Sequence, residues 1–124
     1  MWFEYLRNNI FICSLYKSVP DLVDVEIGSI QAIDGNPSIR IAIHLPRFAD
    51  YPPKKWDPLC EIVCLTLVFN GCDDLFWKGW SEVNIGTISI EKSISDRFSI
   101  RVRANKMEMS FTARSIDTQD ICGI

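Results

Sequence analysis

The chain has 124 residues, enough for the core of one domain and too few for two cores of ordinary size. Apolar residues at 48% and charged residues at 23% exclude disordered, collagen-like and low-complexity chains. Thirteen basic side chains against sixteen acidic ones give a net charge of −3, which argues against a nucleic-acid or anionic-membrane partner and favours a basic one.

The amino terminus, Met-Trp-Phe-Glu-Tyr-Leu-Arg, has neither the basic start nor the apolar run of a secretory signal, and no later stretch is long and apolar enough to span a membrane. A cytoplasmic protein is expected. The cysteines, Cys13, Cys60, Cys64, Cys72 and Cys122, are odd in number, which fits free thiols in a reducing compartment better than a disulfide framework.

Trp2, Leu6, Ile10 and Cys13 recur at helical spacing, so a short amphipathic helix is predicted over about 2–14, with Asn8 and Asn9 as weak points within it. Ser18-Val19-Pro20-Asp21 is a connection. Val23, Val25 and Ile27 then alternate with polar residues, and Gly28 followed by Ile30 shifts the phase as a β-bulge does. After a turn at Asp34-Gly35-Asn36-Pro37, the alternation of Ile39, Ile41, Ile43 and Leu45 completes a hairpin. Pro46, Pro52, Pro53 and Pro58 mark a crossing loop, with Trp56 as a lid over the core.

Cys60–Phe69 is apolar on both parities and reads as a strand covered on both faces, one of them by the N-terminal helix. Further strands are predicted at Leu75–Trp80, Gly86–Lys92, Asp96–Ala104 and Met107–Ala113, with Met107 and Met109 filling gaps in the core. The expectation is a single, mainly β domain over 1–124: an antiparallel β-sandwich or open barrel of about seven strands from about 22 to 116, with one short N-terminal helix packed on it. Arg97, Arg101, Arg103, Lys106 and Arg114 are spread along these late strands as a solvated face rather than a phosphate-binding stripe.

Reaction chemistry is sparse. The one histidine, His44, lies on the polar parity of its strand with no nucleophile or acid near it in sequence, so no triad is legible. Cys60 and Cys64 would lie about 13 Å apart along a strand, too far for one zinc ion. The adjacent Asp73 and Asp74 form no glycosidase pair, and no dinucleotide, P-loop or nucleophile-elbow motif occurs. No enzyme, metal or cofactor is expected.

What stands out is Asp73-Asp74-Leu75-Phe76-Trp77-Lys78-Gly79-Trp80-Ser81-Glu82, two tryptophans between acidic flanks. On one strand, Trp77 and Trp80 would fall on opposite faces, one buried and the other available. Core or edge packing of both is the plainer alternative. As a recognition surface, Asp73, Asp74, Trp77, Trp80 and Glu82 are the candidate partner-binding residues.

Three features occur in order: the Trp2 helix ending in asparagines, Val19-Pro20-Asp21-Leu22-Val23-Asp24-Val25-Glu26, and Tyr51-Pro52-Pro53-Lys54-Lys55-Trp56 ahead of Val63-Cys64-Leu65-Thr66-Leu67-Val68-Phe69. With a strand-rich remainder, the chain resembles the immunity protein 50 family of bacterial polymorphic toxin systems. The resemblance implies a cytoplasmic antidote that binds and neutralises a cognate toxin domain without catalysis of its own, and it carries over no functional residues. The alternative is a small β-sandwich module that binds a carbohydrate or other small ligand through Trp77 and Trp80.

Overall fold

The computed structural model describes residues 1–33 and 37–124; of the turn expected at Asp34–Pro37, all but Pro37 lies outside the described residues. A 3₁₀ turn at Trp2–Tyr5 and a short helix α1 (Ile10–Leu15) precede eight strands: β1 (Val25–Ile33), β2 (Ser38–His44), β3 (Val63–Asn70), β4 (Asp73–Lys78), β5 (Asn84–Lys92), β6 (Phe98–Ala104), β7 (Glu108–Ala113) and β8 (Ser115–Gly123). All eight join one antiparallel sheet in the order β4-β7-β6-β5-β1-β2-β3-β8, whose outer strands do not pair with each other. The mainly β, antiparallel expectation holds, as one open sheet.

Period-two alternation builds the core face. Ile27 lies opposite Ile43 and Ile43 opposite Leu65, while Ile88, Val102 and Met109 form a second row across β5, β6 and β7. All six are buried. The bulge expected at Gly28 is present as a register shift between Ile27 and Ser29. Met107 and Met109 are both in the core.

The N-terminal segment supplies the cover on this face. Trp2, Leu6, Ile12, Leu15, Tyr16, Val19 and Leu22 are buried in the same cluster as the strand side chains. Its path is fixed by polar contacts: Trp2 Nε1 donates to the Pro20 carbonyl at 2.9 Å, and Arg7 N–H to the Ile116 carbonyl at 3.0 Å. Arg7 also pairs with Asp117 on β8. The proline loop is tied to the same segment, since Tyr16 Oη donates to the Arg47 carbonyl and Tyr51 N–H to that of Leu15. Trp56 lies half-buried against Phe48 and the backbone of Gly123, consistent with a lid.

Several expectations need correction. The helical stripe breaks at Leu6–Asn9; Ile12 and Leu15 are buried, whereas Ile10 and Cys13 face solvent. α1 starts afresh after Asn9 in a new phase, with Ile10 and Cys13 outward. Cys60 precedes β3, in a turn where its N–H donates to the Asp57 carbonyl, so the strand spacing applied to Cys60 and Cys64 does not hold. The second face of β3 is not covered by a layer: Ile62 is exposed and Cys64 and Thr66 are half-exposed. Val68 alone is buried there, in a row between Arg40 and Asp117. Finally, β8 was not expected. Its sequence, Ser-Ile-Asp-Thr-Gln-Asp-Ile-Cys-Gly, is mostly polar because only one of its faces meets the core.

Candidate functional site

β4 is an outer strand, and all six of its residues are exposed. Its first residues are held by Arg97, just ahead of β6. The Arg97 guanidinium donates to the Gly71 carbonyl at 2.9 Å, to Asp73 at 3.0 Å and to Thr112 Oγ1 at 3.1 Å. Asp73 pairs with Thr112 in register, but the next paired residue is Phe76 with Ser110, so Asp74 and Leu75 together face one residue of β7. This is a bulge, with Asp74 in the left-handed region at φ 57°. It re-aims Asp74 toward a groove of about 550 Å³ on the outer face of the sheet, lined also by Thr87, Ser89, Arg101, Ser110 and Thr112.

The two adjacent aspartates therefore have different roles. Asp73 anchors the strand through Arg97, while among the described residues no salt bridge reaches Asp74 or Glu82. The sequence motif brought them together as equals, and only the bulge separates them.

Trp77 and Trp80 are 40% and 46% exposed, so neither is buried. The expectation of one inward and one outward ring fails because β4 ends at Lys78 and the chain turns at Gly79, with φ 85°. The turn folds Trp80 back: the rings meet edge to face with centroids 6.3 Å apart, and Trp77 Nε1 donates to the Gly79 carbonyl at 3.1 Å. The rings are tilted 74° to each other and give no coplanar surface. Beyond Trp80, the buried Asn84 side chain closes the loop, accepting from Ser81 N–H at 3.1 Å and donating to the Ser81 carbonyl at 2.7 Å.

Leu75 and Phe76 of β4, and Val83 and Ile85 further along the chain, are also exposed apolar residues. Sequence reasoning did not single out Leu75 and Phe76, because an apolar residue in a short strand signals core until the strand is known to be at the edge. The groove was legible only indirectly, in the polar parity shared by Thr87, Ser89, Ser99, Arg101 and Ser110.

His44 Nδ1 lies 3.1 Å from a Glu26 carboxylate oxygen, which accepts when that nitrogen carries its hydrogen, and the register sets Cys64 opposite His44 on β3, a neighbour that sequence spacing did not show. Among the described residues, no group of three or more His, Cys, Asp or Glu side chains is arranged to hold a metal ion.

The model of the immunity protein 50 family matches residues 8–123. The chain belongs to the immunity protein 50 family. No curated protein and no solved structure matches it. In this immunity protein 50 chain the matched span runs from before α1 to the last residue of β8, so it contains β4, the tryptophan pair and the groove, while Trp2 lies outside it. Among the described residues of this family member, no helix is long and apolar enough to cross a membrane. What the β4 region offers chemically is desolvatable aromatic area and, among the described residues, two carboxylates with no ion-pair partner and an unpaired strand edge.

Proposed function

We propose that this protein is a cytoplasmic bacterial antidote, a single domain that binds a cognate polymorphic toxin domain and neutralises it without catalysis of its own. Family membership supports the role. One structural observation supports the place of contact: β4, at the edge of the sheet, leaves every side chain exposed and carries the aromatic pair on a turn fixed at both ends. The partner contacts Asp74, Trp77, Trp80 and Glu82, with Asp73 holding the strand in place. A segment of toxin backbone can add to the free edge by strand pairing, while the rings give side-chain specificity.

The division of labour follows from the physics of association. Unpaired carboxylates at a rim speed encounter with a basic surface and make it salt-dependent, whereas a desolvated ring at the centre slows dissociation. The test is co-expression with the toxin encoded beside the gene, followed by binding of the purified pair. Asp74→Lys with Glu82→Lys is the informative charge reversal, because reversing Asp73 would also break its bond to Arg97. The double variant is expected to associate more slowly and with a flatter salt dependence. Unchanged association would place the interface elsewhere.

A further inference from the structure

On the opposite half of the sheet, Cys64 of β3 and Cys122 of β8 are register partners. The neighbouring pairs show how this comes about. Thr66 lies opposite Gln119, so an unbroken ladder would set Ile121 against Cys64 and Cys122 against Val63, on the core face. Instead β8 places two residues, Asp120 and Ile121, opposite Leu65, with Asp120 in the left-handed region at φ 53°. The bulge turns Cys122 onto the outer face, directly across from Cys64.

We propose that Cys64 and Cys122 form a reversible cross-strand disulfide by exchange with glutathione disulfide. Directly opposed residues of antiparallel strands have Cα atoms about 4.5–5.5 Å apart, inside the roughly 4.4–6.8 Å that a disulfide spans. The two positions are therefore within Cα reach of a disulfide. Accessibility sets the order of events, since Cys122 is exposed and Cys64 half-buried. The Cys122 thiolate attacks one glutathione sulfur, giving a mixed disulfide and a first glutathione thiolate. The Cys64 thiolate then attacks the Cys122 sulfur, the bond to glutathione breaks, and a second glutathione thiolate leaves. Two protein thiols are oxidised, one glutathione disulfide is reduced to two thiols, and the two cysteine protons pass to them through solvent.

The groups facing Cys64 are His44 on β2, Glu26 beyond it on β1, and Cys122. Its thiol is pushed up to about 11, chiefly by burial and next by the charge and hydrogen bond of Cys122. The bond ties the C-terminal part of β8 to β3, at the end of the strand opposite the contact of its first residues with Leu6.

The experiment is redox titration of the whole native protein in glutathione buffers, with alkylation of residual thiols and peptide mapping. The expected product is a Cys64–Cys122 linked peptide, lighter than the two free peptides by two hydrogen atoms and reversed by excess reduced glutathione. Cys13, also exposed, is expected to stop at the glutathione adduct. Cys122→Ser, at an exposed position, is expected to abolish the link and leave Cys64 alkylatable, and unfolding in urea should remove the preference for this pair. A glutathione adduct that persists on Cys122 in the native protein, or a link from Cys122 to Cys60, would overturn the proposal.

Discussion

Gly79 separates the last residue of β4 from Trp80, and the geometry there tolerates no side chain. Its φ is +85°, and a Cβ would sit 2.1 Å from the Lys106 carbonyl oxygen and 3.2 Å from the carbonyl carbon. Both are backbone atoms of the turn between β6 and β7, so no rotamer change relieves the clash. Left-handed strain on a residue with a Cβ costs about 1–3 kcal/mol by itself. Displacing the turn adds to that, so Gly79→Ala is expected to lose at least about 2 kcal/mol. Gly28 is the matched control. It sits at the β1 bulge without a left-handed φ, and the nearest atom to a Cβ is the Ala42 carbonyl oxygen at 3.8 Å. Gly28→Ala should therefore be neutral or stabilising by up to about 1 kcal/mol, through the smaller entropy of the unfolded chain. Urea unfolding followed by tryptophan fluorescence measures both, and the slope should not change while the midpoint moves. A Gly79→Ala protein within about 0.5 kcal/mol of the parent, or a Gly28→Ala protein that loses more than Gly79→Ala, would refute the reasoning.

Three further outcomes follow from burial and hydrogen bonding. Leu65, 1% exposed at the centre of β3, should cost about 2–5 kcal/mol on replacement by alanine, whereas Ile10→Ala, at a position 78% exposed, should stay within about 0.5 kcal/mol in the same denaturant assay. Asn84→Ala leaves the N–H and carbonyl of Ser81 without their partner, for a loss of about 1–3 kcal/mol in thermal or urea unfolding. The Tyr16 phenol is pushed up to about 12, chiefly by burial, from an ordinary 10.0. The folded state then keeps this proton to higher pH than the unfolded state, so stability falls as pH rises from about 10 to about 12. Tyr16→Phe should flatten that fall while costing about 1 kcal/mol at neutral pH for the lost bond to the Arg47 carbonyl.

Much of the sheet was legible because one face of each strand is buried and the period-two signal is then strong. β2, with Ile39, Ile41 and Ile43 inward, is the clearest case, and even the Gly28 bulge left a phase shift in the sequence. The signal failed where burial is one-sided or partial. β8 keeps Ile116 in the core but is otherwise polar enough to pass for a tail, and Cys60 extended the apolar run of β3 without belonging to it. The N-terminal stripe misled because a helical period persists in sequence across Asn8 and Asn9, although the backbone turns there. At the candidate site, the motif from Asp73 to Glu82 was visible as composition. What composition could not carry is that a bulge points Asp74 away from Asp73 and that a glycine turn packs Trp80 against Trp77. The pairing of Cys64 with Cys122 depends on one extra residue in β8, which no local pattern marks.

The most direct test of the proposed function is the affinity of the purified protein for the toxin domain encoded beside its gene, compared with Trp80→Ala, whose ring is outside the core and whose removal should cost only the edge contact with Trp77, about 0.5–1.5 kcal/mol in unfolding. If the β4 region is the contact and Trp80 its anchor, the variant should lose at least about 2 kcal/mol of binding, roughly 30-fold in affinity and mostly through faster dissociation. A parent protein that does not bind the toxin, or a stably folded Trp80→Ala protein that binds it as tightly as the parent, would contradict it.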